Sequence, residues 1–530
     1  MMSNQLAPCL MLQGTSSHVG KSVLATAFCR IFSDMGYKVA PFKAQNMANN
    51  SYVTKEGLEI GRAQGAQAEA ARIDAHVLMN PILLKPSSDG SSQIVLNGKP
   101  ISDVNAREYR EDWTAKLWTH VQSSLTTLRE QYDLIIIEGA GSPAEVNLRK
   151  GDIANMSVAK EVDAITLLVG DIERGGMLAS VVGTLELLPK EERELIKGIL
   201  VNKFRGDKSL LDPGLDFLEQ KTDKPILGVL PYIHEQLVEE EDSVALSDKK
   251  HKNTSNEQYI NDVEKHQKYV TVGIVNFPRI SNFTDFEPLE FCPGVQVKYL
   301  DMNTEIDSSI DCMILPGTKA TITDCQAFIN SPLGNSIRSN DVANNLPILG
   351  ICGGYQMLGY SIEDPHGVEG QPDKIRGLNL LPLETKFNDH KNTTNNTLSL
   401  SDAAKDQGDF QLLSDKSMRG YEIHMGEVNV TRNSAIWLTD EEGQIKGARS
   451  QDNLILGTYL HDIFKNESFI NWFLQWVNDN SPNKNLQNSR LKMDYTVDDN
   501  DKRYDRLAEH IVNHIDLESI CRKLSLNYRM

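Results

Sequence analysis

The chain has 530 residues, of which 40 % are hydrophobic, and 54 basic against 73 acidic residues give it a formal net charge of −19. A single hydrophobic core seldom grows beyond about 250–300 residues, so this length predicts two or three domains. The acidic balance and the lack of a dense Lys/Arg run argue against a nucleic-acid partner.

The seven cysteines are scattered without a CxxC pair, which favours neither a zinc site nor a disulfide framework and is typical of a reducing cytosol. The N-terminal residues lack a basic region followed by a long apolar core, and no run approaches the roughly 18 apolar residues of a membrane span. We therefore expect a cytoplasmic protein without a membrane partner.

Short apolar runs alternate with stretches of helical period, which predicts an α/β fold of two doubly wound domains with parallel sheets. The first domain is placed at 1–235 and the second at 269–478. The polar text at 236–268 predicts a linker, with the boundary near residue 265. A polar loop and a C-terminal helix, at about 502–524, are expected within 479–530, and further polar loops at 388–409 and 478–489.

The first chemical motif is GTSSHVGKS, which follows an apolar run and precedes a helical one. A strand, a glycine-bounded loop and a helix N-terminus make a phosphate cradle, because backbone N–H groups and the helix dipole converge on an anion. Lys21 is expected to reach the β- and γ-phosphates and Ser22 to hold Mg²⁺. Five residues separate the two glycines instead of the usual four, and the loop resembles that of dethiobiotin-synthetase-like proteins. The residues predicted to bind ATP are Gly14, Thr15, Ser16, Ser17, His18, Val19, Gly20, Lys21, Ser22 and Asn202.

Acidic and basic residues follow three later strands of this domain, at the sheet edge where ligands gather. Glu138 is the better candidate for a second Mg²⁺ ligand, whereas Asp171 either serves the same cation or caps the turn that follows it. Asn202 is placed to read a nucleotide base. Lys203 and Arg205 either hold phosphate or an acidic substrate, or form a solvated basic edge.

A cluster of neutral amides stands in FKAQNMANNSYV, directly after the second predicted strand. Such a density suits a ligand with many carboxylate or amide groups, although a disordered polar loop has the same composition. The candidate substrate-binding residues are Lys43, Gln45, Asn46 and Asn49, together with Arg174 of the segment GDIERGG.

In the second domain, LPILGICGGYQMLG ends an apolar strand on a cysteine with glycines on both sides. This is the form of a nucleophile elbow, in which a sharp strand-to-helix turn exposes a thiol at a helix N-terminus, where a thiolate is stabilised. Cys352 is the predicted nucleophile, and His461, which follows the strand LILGTYL, is its predicted base. His424 is the second choice, more suited to shaping the site. The backbone N–H groups of Gly353 and Gly317 are the predicted oxyanion hole.

With these motifs in view, the second domain resembles a class I glutamine amidotransferase with a flavodoxin-like sheet. The chain from about Gly14 to Phe464 resembles the cobyric acid synthase family of cobalamin biosynthesis, on the segments KAQNMANNS, DIERGG, PRISNFTDF, LPGTKAT, GYEIHMG and GTYLHDIF. In the wider amidotransferase class the catalytic histidine is followed by Pro-Glu. Here Asp462 and Ile463 follow His461, so the usual glutamate is missing and another group must orient the imidazole.

The resemblance implies a carbon–nitrogen ligase with glutamine as the nitrogen donor and ATP and Mg²⁺ as cofactors. Its implied reaction amidates the b, d, e and g carboxylates of adenosylcobyrinic acid a,c-diamide through acyl phosphates. Three alternatives stay open: an a,c-diamide synthase, a CTP synthase, and a partition-type ATPase with an inactive amidotransferase domain. The sequence leaves the oligomeric state open.

Overall fold

The computed structural model describes residues 6–87, 90–239, 270–339, 345–370, 373–483 and 499–528. The chain divides into two compact units: the first unit is Met1–Glu241 with Asp498–Met530, and the second unit is Asp242–Val497. Most of the predicted linker at 236–268 and the second half of the predicted loop at 478–489 lie outside the described residues.

The first unit begins with strands and helices in alternation. Its strands are β1 (Cys9–Gly14), β2 (Val39–Phe42), β3 (Gln45–Met47), β4 (Ser51–Val53), β5 (Glu59–Gly61), β6 (Ile82–Pro86), β7 (Ser91–Leu96), β8 (Lys99–Asn105), β9 (Leu134–Glu138), β10 (Ile165–Asp171), β11 (Ile196–Phe204) and β12 (Ile226–Pro231). Its helices before residue 240 are α1 (Lys21–Asp34), α2 (Arg62–Ala70), α3 (Ala106–Glu108), α4 (Thr114–Gln131), α5 (Met156–Glu161), α6 (Met177–Leu187), α7 (Lys190–Leu195) and α8 (Asp212–Thr222).

The main sheet of the first unit has six parallel strands in the order β12-β11-β10-β1-β9-β2. Its central strands are near-continuous apolar runs because helices cover both faces, as in other parallel sheets. Along β1, Met11 packs into the core on one face, while Leu10 and Leu12 pack into the core on the other. A smaller sheet, β3-β6-β7-β8, and the hairpin β4-β5 follow β2 in the chain. The predicted parallel α/β architecture is confirmed here.

The second unit contains the strands β13 (Val270–Val275), β14 (Val295–Leu300), β15 (Cys312–Leu315), β16 (Ile348–Ile351), β17 (Ser361–Asp364), β18 (Asp373–Arg376), β19 (Leu383–Leu400), β20 (Ser417–Val430), β21 (Ile436–Asp440), β22 (Ile445–Arg449) and β23 (Ile455–Thr458). Its helices are α9 (Glu287–Glu290), α10 (Thr321–Ile329), α11 (Pro332–Arg338), α12 (Gly353–Met357), α13 (Asp402–Lys405) and α14 (Glu467–Asn480).

One eleven-stranded mixed sheet organises the second unit. Five parallel strands lie in the order β14-β13-β15-β16-β23, which is the 2-1-3-4-5 order of flavodoxin-like sheets, as predicted. Antiparallel pairing then continues the sheet through β22, β21 and β19, with β20 on the far side of β19.

The polar stretch at 388–409 is not the loop that its composition predicts. Residues up to Leu400 belong to β19, which pairs antiparallel with β20 on either side of a register shift between Phe387 and Asn392. The strand was missed because it forms through backbone pairing and carries Thr and Asn side chains rather than an apolar pattern. Two of its amides, on Asn392 and Asn396, donate to the buried carboxylate of Glu422.

The C-terminal residues return to the first unit and form two helices, α15 (Asn500–Val512) and α16 (Leu517–Lys523), instead of the single helix predicted at 502–524. The helix is interrupted because Ile515 bridges to Gly228 beside β12 and the N–H of Asp516 donates to the carbonyl of Leu227 at 2.7 Å. The apolar face of α15 joins the core around α1, through Leu507 and Ile511. None of the described helices is long and apolar enough to cross a membrane.

Arg30 of α1 anchors these C-terminal helices. Its side chain is 1 % exposed and lies 2.8 Å from Asp501 and 2.7 Å from Asp505, both of which are more than half exposed. We expect the double variant Asp501→Asn, Asp505→Asn to lose about 1–3 kcal/mol of unfolding free energy, because it removes the two nearest carboxylates of a buried guanidinium and leaves the more distant Asp34, at 3.9 Å. Arg30→Met is expected to lose less, since the aspartates that it leaves behind are hydrated. Urea denaturation of the three proteins measures the difference, and equal losses would contradict the assignment.

Candidate active site

The glycine-rich loop of the first unit connects β1, which ends at Gly14, to α1, which begins at Lys21. Gly20 has φ +100°, a conformation that L side chains rarely adopt, and a Cβ there would collide with the amide of Asn202. That amide donates to the carbonyl of Val19 at 2.8 Å. Asn202 therefore supports the loop backbone, and its role in reading a base stays a prediction.

Replacing Gly20 by alanine is expected to weaken ATP binding by at least about tenfold, because the loop has to move away from Asn202 and leave its left-handed conformation. Gly36→Ala is the matched control, since Gly36 also has a positive φ (+85°) but an added Cβ would meet nothing within 4 Å. Titration calorimetry with ATP compares the two variants. A Gly20→Ala protein that binds as well as the control would contradict a phosphate cradle at this loop.

Lys21 lies folded over the loop. Its Nζ donates to the carbonyl of Ser16 at 3.0 Å and to that of Gly141, which follows β9, at 2.8 Å. At Gly14 a Cβ would lie 2.7 Å from the same Nζ, so a glycine is needed for this close approach. The lysine is thus positioned over the concave side of the loop, where a phosphate would meet it.

Lys203 and Asp171 brace the loop from the next strands of the sheet. The Nζ of Lys203 donates to the carbonyl of His18 at 2.6 Å and to Asp171 at 2.8 Å. Asp171 also accepts from the N–H of Glu173 at 2.9 Å. This contact agrees with the second of its two predicted roles, capping the turn that follows it. Arg205 pairs with Glu173 and lies over the ring of Tyr232. In this structure these groups hold one another rather than an open anion site.

Glu138, at the end of β9, is the centre of a buried polar cluster and is 2 % exposed. Its Oε1 accepts from the Oγ of Ser22 at 2.8 Å and from the Nζ of Lys43 at 2.9 Å, and its Oε2 accepts from the Nε2 of Gln67 at 2.7 Å. Burial alone would raise the pKa of Glu138. The charge of Lys43 and the three hydrogen bonds outweigh burial and hold that pKa below its usual value, so the carboxylate is ionised.

The two predicted Mg²⁺ ligands, Ser22 and Glu138, are therefore in direct contact. A hydroxyl and one carboxylate suit Mg²⁺, which is usually bound by one or two protein oxygens together with waters and substrate phosphates. The described residues contain no group of three or more His, Cys, Asp or Glu side chains that could hold a metal on their own. The donor set thus fits a cation that arrives with a nucleotide.

The amide segment is ordered, which contradicts the alternative of a disordered loop: Gln45–Met47 form β3 and pair with β6. The carbonyl oxygen of the Gln45 side chain accepts from Tyr109 at 2.6 Å, and the Nδ2 of Asn46 donates to Gln64 of α2 at 3.2 Å. Three amide atoms nearby are buried without a hydrogen-bond partner among the described residues: Asn49 Oδ1, Gln64 Nε2 and Gln67 Oε1. Buried polar atoms are normally paired, so this cluster is suited to a polar ligand or to water.

Gln64 and Gln67 were missed by the sequence reasoning. Both lie on α2, whose sequence RAQGAQAEA places polar side chains in a helix that is buried along most of its length. That contradiction between polarity and burial is visible only once the burial is known. The predicted Arg174 lies exposed in the turn before α6.

In the second unit, Cys352 lies at a sharp bend between β16 and α12. Its backbone has φ +51° and ψ −109°, a strained conformation for a residue with a side chain. Glycines surround it because the backbone of α12 packs tightly on β15: a Cβ on Gly354 would collide with the carbonyl of Leu315. The sulfur donates to the carbonyl of Ile423 in β20 at 3.4 Å. The structure thus has the elbow that the sequence predicts.

His461 follows β23 and is fully buried. Its Nδ1 lies 2.7 Å from the Oδ2 of Asp285, whose other oxygen accepts from the N–H of Asp462 at 3.0 Å. Its ring also stacks on Tyr421. Burial would lower the pKa of His461, but the charge of Asp285 and then that of Cys352, with hydrogen bonds to both, raise it to about 10. The buried carboxylate of Asp285 thus favours the imidazolium form of His461.

Asp285 is the group that the sequence reasoning left unidentified. It precedes α9, in the segment PRISNFTDF, far from His461 in the chain. Its carboxylate is 1 % exposed and receives the Nδ1 proton of His461, as the third member of a catalytic triad does. His461 is thus hydrogen-bonded to Asp285 and lies close enough to Cys352 for the thiol to affect its pKa.

The two predicted oxyanion-hole residues lie next to this group. A Cβ on Gly317 would be 3.2 Å from the Cε1 of His461, and a Cβ on Gly353 would be 3.1 Å from the backbone nitrogen of Thr318. The Gly317–Thr318 backbone and the first residue of α12 thus face each other beside Cys352. The N–H of Thr318 becomes a further oxyanion donor candidate.

His424 does not contact this triad in the hydrogen bonds that the structure gives it. Its Nδ1 lies 2.8 Å from the carbonyl of Gly426 and its Nε2 3.2 Å from Glu422, and its ring stacks on Tyr459 at 3.8 Å. These contacts agree with a role in shaping the strand that borders Cys352.

The comparisons with known proteins agree with this two-site arrangement. Residues 10–244 match the CobQ/CobB/MinD/ParA nucleotide binding domain, and residues 271–469 match the CobB/CobQ-like glutamine amidotransferase domain. A cobyric acid synthase of Desulforamulus reducens is 44 % identical over 98 % of this chain and 99 % of its own. Those of Dehalococcoides mccartyi and a Geobacillus species are 43 % and 42 % identical, covering 97 % and 98 % of this chain and 98 % of their own.

The chain belongs to the cobyric acid synthase family. Membership confirms the predicted resemblance and the enzyme class, a glutamine-dependent carbon–nitrogen ligase with a nucleotide-binding domain that implies ATP. The CTP synthase and partition-ATPase alternatives receive no support from these full-length matches to cobyric acid synthases.

Proposed function

We propose that the chain is a cobyric acid synthase that amidates the b, d, e and g carboxylates of adenosylcobyrinic acid a,c-diamide. The observation that carries the proposal is the Cys352–His461–Asp285 triad in a chain whose first unit holds Lys21 over a phosphate loop beside Ser22 and Glu138. One site is suited to release ammonia and the other to activate an acid. Each amide consumes one glutamine and one ATP.

At the triad, the thiolate of Cys352 attacks the side-chain amide carbon of glutamine. The oxyanion that forms receives hydrogen bonds from the backbone N–H groups of Gly353 and of Gly317 or Thr318. His461 gives its proton to the departing nitrogen, so that ammonia leaves and a thioester remains. His461 then takes a proton from water, which hydrolyses the thioester to glutamate and restores the thiolate.

At the phosphate loop, the acceptor carboxylate attacks the γ-phosphorus of ATP, the bond to the β-phosphate oxygen breaks, and ADP leaves. A bound Mg²⁺ would neutralise charge on the phosphates there, held by Ser22 and Glu138. Lys21 stabilises the negative charge that spreads over the transferred group. Ammonia then displaces phosphate from the acyl phosphate to give the amide.

The test is incubation of the enzyme with ATP, Mg²⁺, glutamine and adenosylcobyrinic acid a,c-diamide, followed by mass spectrometry. The expected result is a series of four products, each with one further carboxyl converted to a carboxamide. In a parallel incubation with cobyrinic acid as the acceptor, amidation at the a and c positions would show an a,c-diamide synthase instead. Glutamine hydrolysis without any amidated product would overturn the proposal.

A further inference from the structure

The register of strands β2 and β9 places Lys43 next to Glu138 at one edge of the sheet. In the pairing of β2 with β9, Phe42 lies opposite Ile137, so the next residues along the two parallel strands are Lys43 and Glu138. The backbone of Lys43 is held on both sides: its N–H donates to the carbonyl of Met79 at 2.8 Å, and its carbonyl accepts from Asn80 at 2.9 Å. These hydrogen bonds fix the backbone of Lys43, whereas its side chain is a flexible four-carbon chain.

The ammonium of Lys43 contacts the same carboxylate oxygen of Glu138 as the hydroxyl of Ser22 does. Oε1 of Glu138 accepts from Lys43 at 2.9 Å and from Ser22 at 2.8 Å, while Oε2 is held by Gln67. Lys43 and Glu138 are 6 % and 2 % exposed, so little water screens the pair. A divalent cation bound between Ser22 and Glu138 would bring two further positive charges next to this ammonium, and like charges in a buried site repel strongly.

We propose that Lys43 is a resident counter-ion of Glu138 that the Mg²⁺–nucleotide complex displaces, which frees its ammonium for the acidic substrate. A buried carboxylate needs a partner in the empty enzyme, and Lys43 supplies it. When the cation arrives that need disappears, and the flexible four-carbon stem lets the ammonium turn away while its backbone stays fixed. The inference rests on the nucleotide site proposed above and adds an order of binding: nucleotide first, acid second.

We expect the displaced ammonium of Lys43 to move toward the amide segment that follows it in the chain. Lys43 opens the amide segment that contains Gln45, Asn46 and Asn49. One buried amide atom of this segment, Asn49 Oδ1, and two of α2, Gln64 Nε2 and Gln67 Oε1, lack partners among the described residues. An ammonium released next to these amides meets a carboxylate or acyl phosphate with a complementary charge. The cation site and the acid site would thereby share one lysine.

The test compares the wild-type protein with Lys43→Met in titrations of the full chain with ADP, with and without Mg²⁺. Lys43→Met is expected to bind Mg²⁺–ADP about tenfold more tightly, because no ammonium competes for Glu138, and to bind ADP without Mg²⁺ as the wild type does. Lys85→Met is the matched control, since it removes another buried pair of the first unit, between Lys85 and Glu59. Its affinity for Mg²⁺–ADP is expected to be unchanged.

Thermal unfolding supplies a second readout that does not depend on activity. Lys43→Met is expected to unfold at a lower temperature than the wild type without Mg²⁺–ADP, and this gap should close when the complex is added. Lys43→Gln serves in place of Lys43→Met if the latter does not fold. Equal or weaker Mg²⁺–ADP binding by the Lys43 variants overturns the inference. A wild-type protein that binds no Mg²⁺–ADP would instead overturn the proposed nucleotide site.

Discussion

Replacing Cys352 by alanine is expected to reduce glutamine-dependent amidation by at least about 10³-fold, because the nucleophile that releases ammonia is lost. Amidation with an ammonium salt in place of glutamine should persist at the wild-type rate, since the proposed activation of the acid belongs to the other unit. The measurement is ADP formation and product mass with each nitrogen source.

Cys325→Ala is the matched control for this experiment. Cys325 is a fully buried thiol on α10 of the same unit, and burial raises its pKa to about 12, so it remains an unreactive thiol. It should keep both activities. Undiminished glutamine-dependent amidation by Cys352→Ala would exclude the proposed nucleophile. It would instead favour the alternative in which the amidotransferase domain is inactive.

Replacing Asp285 by asparagine is expected to lower glutamine hydrolysis by about 10²–10⁴-fold while leaving ammonium-dependent amidation intact. The amide keeps the size of the carboxylate but removes the charge that favours the imidazolium. In the wild type the raised pKa of His461, about 10, keeps the proton donor present across neutral and weakly alkaline pH. In the wild type, glutamine hydrolysis should therefore fall only as the pH rises through about 10, where His461 loses its proton.

The pH profile of glutamine hydrolysis distinguishes an effect of Asp285→Asn on His461 from a general loss of folded protein. Without the Asp285 charge, the burial that lowers the pKa of His461 is less opposed, so the alkaline limb of glutamine hydrolysis should move to lower pH. Asp364→Asn, which alters a buried carboxylate that accepts from the N–H groups of Val368 and Glu369, is the control. An Asp285→Asn enzyme with an unshifted profile would show that Asp285 does not act through His461.

The parts of both sites that the sequence predicts are those defined by local spacing. The phosphate loop and the cysteine elbow are each a strand, a turn rich in glycine and a helix N-terminus, contiguous in the chain. Their geometry follows from a few neighbouring residues, because a glycine readily adopts a positive φ, as Gly20 does, and allows another chain segment to approach closely, as at Gly14 and Gly354.

The parts that the sequence did not predict depend on distant segments. Asp285 reaches His461, and Gln67 reaches Glu138, through packing that no local pattern encodes. The same holds for β19, whose polar residues pair along β20, and for the return of α15 to α1. A motif predicts the roles of its own residues, but a hydrogen-bond partner that is distant in the chain can be identified only from the tertiary structure.

The Arg30 contact has a consequence for biosynthesis. Residues of α15 share one core with apolar residues of α1, such as Phe28 and Phe32, so the first unit cannot complete this core while the ribosome is still translating the second unit. A polypeptide truncated after the amidotransferase segment would therefore have an incomplete core in its first unit, which is the unit synthesised first.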